Sequence, residues 1–135
     1  MTRNKPYSLG KSERLKSRKQ IDALFEAGEK VTHFPFRLLY RTEEGMGGLK
    51  AGFTVSSKNF PRAVDRNRIK RLCREAYRKQ KKELENRVLK NKAPLHLFFI
   101  YTGKKIISYP ETFSGLGELL DKLIQVLYAN PSENT

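Results

Sequence analysis

Any chemistry done by this 135-residue chain has to come from a short inventory of reactive side chains. It holds two histidines, His33 and His96, and one cysteine, Cys73. Metal-assisted hydrolysis needs several carboxylates converging on a divalent cation. The acids here are few and scattered, and the adjacent pair Glu43 and Glu44 sits among glycines in TEEGMGG. No phosphate-cradling glycine loop, G-x-S-x-G turn or zinc-ligand spacing is present. His96 falls in an apolar run, as a satisfied core histidine would. Cys73 falls on the apolar side of a helical pattern, where a thiol is inert. The sequence therefore predicts no catalytic residue and no metal ligand of its own.

Its chemistry is that of binding. Arg62 to Lys82 reads RAVDRNRIKRLCREAYRKQKK, ten bases against two acids, which is +8 of the formal +14. At 100° per residue Ile69, Leu72, Cys73 and Ala76 form one apolar stripe. Asn67, Lys70, Arg71, Arg74 and Arg78 gather on the far side, with Arg66 and Arg68 at the borders. Like charges four residues apart on a helix repel (Arg66/Lys70, Lys70/Arg74, Arg74/Arg78). A folded domain that accepts this repulsion has a polyanion to relieve it. A second set is aromatic: Phe25, Phe36 and Tyr40, joined by Lys50 or Lys58. Rings flanked by cations hold single strands by base stacking; the same rings are also ordinary core material, and pattern alone leaves both readings open.

Length and charge bound the rest. At 135 residues and 38% hydrophobic residues the chain makes one domain with a modest core. Its charge of +14 calls for RNA, DNA or an anionic membrane surface. The longest apolar run is the five residues Leu97 to Tyr101, against roughly 20 for a membrane span. The basic N-terminus lacks the apolar segment of an export signal. A single cysteine fits a reducing, cytoplasmic setting.

The elements that must position these residues can be read in order. Residues 1–16 read as a flexible basic arm, residues 17–129 as one RNA-binding α+β domain, and residues 130–135 as a disordered tail. Ser17 and Gln20 form a capping-box pattern for a helix over 18–27 that stops at Gly28. FPFRLLYR (34–41) and LKAGFTVS (49–56) alternate as strands joined by a glycine-rich turn, which predicts an antiparallel hairpin. Pro61 suits the first turn of the basic helix, which should continue to about Arg87. LHLFFIY (95–101) is apolar throughout, as a strand covered on both faces is. Beyond Pro110, Thr112 or Ser114 caps a last helix with the stripe Leu116, Leu119, Leu120, Leu123, Ile124, Leu127. The fold class is α+β: a small, mainly antiparallel sheet packed with helices in the order α-β-β-α-β-α. Its β-α-β crossover would ordinarily be right-handed.

One stretch carries a resemblance. Ala63-Val64-Asp65-Arg66-Asn67-Arg68-Ile69-Lys70-Arg71, extended by Arg74 and Glu75, resembles the A-V-x-R-N-R-x-K-R-x-x-R signature of the bacterial ribonuclease P protein subunit. Arg14-Leu15-Lys16, Phe25-x-x-Gly28 and Gly52-Phe53-x-Val55-Ser56 resemble further motifs of that family, in order and register from about residue 12 to 128. Two departures stand out. The first cleft position, often aromatic in the family, is Ile21, and the turn Asn59-Phe60-Pro61-Arg62 is one residue longer than usual.

The resemblance implies a subunit of an endoribonuclease whose RNA subunit carries the chemistry. That enzyme removes the 5′ leader of precursor tRNA and leaves a 5′-phosphomonoester, with Mg²⁺ held mainly by the RNA subunit and substrate. It implies that Arg62, Arg66, Asn67, Arg68, Lys70, Arg71, Arg74 and Arg78 contact the RNA subunit. Ile21, Phe25, Phe36 and Tyr40, with Ser56, Ser57 and Lys58 at the edge, would line the leader cleft. It further implies one protein per RNA and a left-handed crossover. The alternative is a basic structural RNA-binding protein, of ribosomal-protein or RNA-chaperone type, with no catalytic partner.

Overall fold

The seven-residue run LHLFFIY is the strand that every other element arranges itself around. In the computed structural model, which describes residues 11–45 and 47–128, it forms strand β4 (Leu95–Tyr101), and all its residues but Ile100 are buried. Before it come a 3₁₀ turn (Lys11–Glu13), helix α1 (Arg18–Ala27) and strands β1 (Glu29–His33), β2 (Phe36–Thr42) and β3 (Leu49–Val55). Helices α2 (Ala63–Gln80) and α3 (Lys82–Asn91) lead into it, and α4 (Tyr109–Leu127) follows.

The sheet order is β1-β2-β4-β3. β2 runs antiparallel to β4, from Phe36 opposite Tyr101 to Thr42 opposite Leu95. β3 runs parallel to β4, from Leu49 beside Leu95 to Val55 beside Tyr101. The α+β class and the mainly antiparallel sheet are as expected, but the hairpin of residues 34–41 with 49–56 is not formed. β4 lies between those two strands, because an apolar strand with two faces to hide takes the central position. The glycine turn steps over its start: Glu43 N–H donates to Pro94 O at 2.8 Å and Leu95 N–H to Gly48 O at 3.1 Å. Gly45 and Gly47 take φ of 93° and 136° there, which only glycine adopts freely.

The hairpin that does form joins β1 to β2, pairing Glu29 with Tyr40 through to His33 with Phe36. Phe34 and Pro35 make its turn, so β2 starts at Phe36.

Side-chain alternation splits the core in two. Leu95, Leu97, Phe99 and Tyr101 join Phe36, Leu38 and Tyr40 in a large cluster under α2, α3 and α4. Phe98 faces the other way, into a small cluster with Leu15, Leu24 and Leu39 under α1. Helices thus cover both faces. Leu15 is only 4% exposed, and its N–H donates to Ala51 O at 2.9 Å. The arm expected over residues 1–16 is corrected on this point, since Arg14 and Leu15 are held to β3. The remainder of that arm, residues 1–10, and the tail of residues 130–135 lie outside the described residues.

The helix ends differ from expectation in instructive ways. Ser17 caps α1, its hydroxyl accepting from Gln20 N–H at 3.2 Å. Gly28 closes α1 with extended backbone; a Cβ there would sit 2.6 Å from Leu24 O. α2 begins at Ala63 with Arg62 as its N-cap, so Pro61 precedes the helix. α4 begins earlier than Pro110: Ser108 is its cap, in a reciprocal box with Glu111, and Pro110 lies inside the first turn. The Thr112 hydroxyl instead donates to Ser108 O at 2.9 Å.

The expected long basic helix stops at Gln80, and α3 starts afresh at Lys82. Between them Lys81 is 5% exposed. Its ammonium meets Glu13 and lies 3.7 Å from Glu85. A buried lysine persists only when acids pair with it, so this contact fixes the turn between the helices and the 3₁₀ turn together.

Gly52 is where the small cluster is tightest. A Cβ there would lie 2.9 Å from Leu15 O and 2.9 Å from the Phe98 ring. Gly52→Ala is therefore expected to reduce unfolding free energy by about 1–3 kcal/mol, the usual range for overpacking. A urea titration matching that of the unchanged chain would contradict this.

Candidate nucleic-acid interface

On α2, Ile69, Cys73, Ala76 and Tyr77 are buried against the sheet, while Leu72 is half-buried. Tyr77 is a core residue that the stripe read from the sequence left out. The Cys73 thiol is pushed up to about 12 by burial, which removes it as a nucleophile.

The helix's cations are not equivalent. Arg62 pairs with Asp65 at 3.1 Å, Lys79 lies 3.8 Å from Glu75, and Arg78 also pairs with Glu75. Arg66 turns back on the connection from β3, its Nη1 donating to Phe60 O at 2.9 Å and Pro61 O at 2.8 Å. That contact closes the carbonyls of the long turn just ahead of the helix. Arg68, Lys70, Arg71 and Arg74 have no ion-pair partner among the described residues. They extend along about 9 Å of helix at 1.5 Å per residue. Asn67 is exposed beside them. The result is a short, uncompensated positive ridge on a rigid backbone, suited to the phosphates of a folded nucleic acid.

The other face of the sheet holds a separate trough. Strand register places three rows across it: Arg37, Ile100 and Thr54; Leu39, Phe98 and Gly52; Arg41, His96 and Lys50. α1 lies over the middle row, with Phe25 set edge-on to Phe98 at 5.7 Å between centroids. Phe25 is 58% exposed and Ile21 is half-buried, so one wall is apolar and open. Phe36 and Tyr40 are not part of it. They are 1% and 6% exposed in the large core on the opposite face, where burial, and then the charge of Glu29, raises the Tyr40 hydroxyl above its ordinary value. The expectation that they share a groove with Phe25 is corrected: α1 covers the Arg37/Leu39/Arg41 side of β2. Leu39, Phe98 and Ile100 take their places. The signal for them was the even-numbered half of LHLFFIY, whose second apolar face needs a helix to cover it.

Ser57 and Lys58 are exposed beyond the end of β3. The Ser56 hydroxyl accepts from Lys58 N–H at 3.2 Å and Asn59 N–H at 3.3 Å, so it shapes the turn that presents them. At the far end His96 lies 3.7 Å from Glu43, itself 3.4 Å from Arg41. Burial lowers the His96 pKa, which keeps the ring neutral near pH 7. Among the described residues no group of three or more His, Cys, Asp or Glu could hold a metal ion, and no helix is long and apolar enough to cross a membrane.

Residues 9–124 match the family model for Ribonuclease P, spanning both surfaces. The chain belongs to the ribonuclease P protein family. A ribonuclease P protein component of Porphyromonas gingivalis W83 is 42% identical over 94 residues, 68% of each chain. One from Legionella pneumophila Corby is 39% identical over 72 residues, 53% of this chain and 62% of that one. The ribonuclease P protein of Staphylococcus aureus shares the fold at a TM-score of 0.64, with 21% identity over 82% of this chain and 94% of that one. That of Thermotoga maritima does so at 0.62, with 24% identity over 82% and 96%. Membership makes the chain a protein component of a tRNA-processing ribonucleoprotein, a subunit of an endoribonuclease with an RNA partner.

The two arginine environments on α2 separate in stability. Arg66→Ala removes charge-assisted bonds to two carbonyls and is expected to destabilise the fold by about 1–3 kcal/mol. Arg74→Ala, on the ridge, should change it by less than about 0.5 kcal/mol. Parallel denaturant titrations check the contrast, and equal losses would refute it.

Proposed function

We propose that α2 anchors the chain on the catalytic RNA of ribonuclease P while the α1 trough grips the 5′ leader of precursor tRNA, so that the RNA removes the leader more efficiently. The observation that carries this reading is the segregation of the two surfaces. The Arg68–Lys70–Arg71–Arg74 ridge has no ion-pair partner among the described residues, and the open Phe25 edge of α1 lies on the opposite side of the sheet. A ridge of point charges fits the phosphates of a structured RNA. The exposed Phe25 ring, with half-buried Ile21 and Ile100 on the same side of the sheet and Arg37 and Lys58 at the margins, fits a few unpaired nucleotides. Stacking there tolerates any base, which suits leaders of varied sequence.

Mg²⁺ keeps several waters and is readily held by phosphate oxygens. The proposal gives it mainly to the RNA subunit and substrate, and routes no step through protein-held metal. What the chain contributes is cationic charge that offsets phosphate repulsion in the assembled enzyme, with one protein per RNA. A cytoplasmic site of action follows from the precursor tRNA substrate and agrees with a lone, buried, reduced thiol.

The decisive assay mixes the purified chain with a bacterial ribonuclease P RNA at Mg²⁺ too low for the RNA alone to work well. Leader cleavage is expected to rise; no gain would reject the proposal, and equal affinity for tRNA with and without a leader would favour a general RNA-binding role. Arg74→Ala should weaken binding to the RNA subunit and lower the slope of log affinity against log salt by about one. Phe25→Ala should weaken leader-bearing substrate by about 1–3 kcal/mol and leave mature tRNA unchanged.

A further inference from the structure

One cavity belongs to neither surface. It holds about 840 Å³ between the Phe34–Pro35 turn, the Thr102–Lys105 loop and the first turns of α4, within the roughly 300–1,000 Å³ range of ligand sites. Its frame is tied on three sides. Thr102 N–H donates to Pro35 O at 2.8 Å, the Tyr101 hydroxyl donates to Lys105 O, and Asn59 Nδ2 donates to Gly103 O at 3.5 Å. Two glycines are tightly packed in its walls: a Cβ on Gly103 would come within 3.1 Å of Tyr101 and Pro35, and one on Gly115 within 3.1 Å of Phe36.

The lining sets an exposed aromatic ring and two lysines on one side and two acids, Glu111 and Glu118, on the other. Phe34 is 78% exposed, so its ring face at the cavity edge is open to a flat ligand. Lys104 and Lys105 are exposed and have no ion-pair partner among the described residues. The acids on the opposite wall are engaged. Glu111 accepts from Ser108 N–H and its hydroxyl at 3.1 Å, and Glu118 lies 3.0 Å from His33 Nε2. An open ring, an apolar floor and two cations at the lip are complementary to a nucleotide: base on ring, phosphate at the lysines.

Resting on the reading of α2 as the RNA anchor, we propose that this cavity takes an unpaired nucleotide of the RNA subunit, as a contact separate from both α2 and the leader trough. The RNA subunit is chosen over precursor tRNA by continuity. The cavity lies against α4, on the α2 side of the sheet, and Asn59 and Phe60 join its loop to the turn that starts α2. Phe60 packs on Tyr101 at 6.1 Å between centroids.

The test measures affinity of the full chain for isolated ribonuclease P RNA across a salt series. Phe34→Ala should weaken binding by about tenfold, the order expected for one stacked base. The double change Lys104→Ala/Lys105→Ala should lower the salt slope by up to about two. Phe34→Tyr should retain affinity, and all three variants should preserve the ratio of precursor to mature tRNA binding. A benzophenone amino acid at position 34 should photo-crosslink to the RNA subunit in the assembled enzyme. Unchanged affinity in the variants, or a crosslink to precursor alone, overturns the proposal while the unchanged chain and Arg74→Ala still report on the α2 anchor. If the unchanged chain fails to bind the RNA, the anchor reading falls and this one with it.

Discussion

A strand that is apolar on both sides has to be buried on both sides, and β4 imposes that demand on the whole molecule. Its odd-numbered residues require α2, α3 and α4; its even-numbered ones require α1 and the Leu15 segment. The same alternation gives the protein two outward surfaces that cannot touch. A ligand held at Phe25 and a ligand held along the outer face of α2 are separated by the sheet and by α2 itself. Changes confined to one surface need not disturb the other, and a single small domain is able to hold two nucleic-acid segments at a fixed distance.

Electrostatics then sorts the cations that this frame presents. A chain with formal charge +14 could have scattered its few acids evenly, but Asp65 and Glu75 pair with Arg62, Arg78 and Lys79 near the two ends of α2. The middle of the helix is left to its own repulsion. Arg66, although it stands in the signature run, works as a brace for the turn before the helix. Hydrogen-bond geometry thus tells apart arginines of one signature run that residue type alone does not.

Much of this was legible from residue patterns, and the failures have physical causes. The extents of α1 and β4 were read closely because a capping serine, a terminal glycine and an unbroken apolar run are local signals. β1 was missed because an edge strand with one inward residue, Val31, carries almost no alternation. The hairpin between residues 34–41 and 49–56 was inferred from proximity along the chain, whereas the need to bury β4 decided which strands meet. Phe36 and Tyr40 share one side of β2 by simple alternation. Nothing in β2 itself says which helix covers which side, so they were assigned to the trough although they belong to the core. The break at Lys81 depends on Glu13, far away in sequence, and lies beyond any local pattern.

The position of β4 also has a temporal side. Of the three strand pairings only β1 with β2 is local; the other two both wait for a strand made after α2 and α3. A chain emerging from the ribosome must hold β2 and β3 as unpaired edges until Tyr101 is clear, and must then close long loops to complete the sheet. During that interval the basic segment of α2 is already exposed to solvent and to any RNA nearby. A polyanion that met the chain at that stage would screen the repulsion along α2 while its hydrophobic support is still being synthesised.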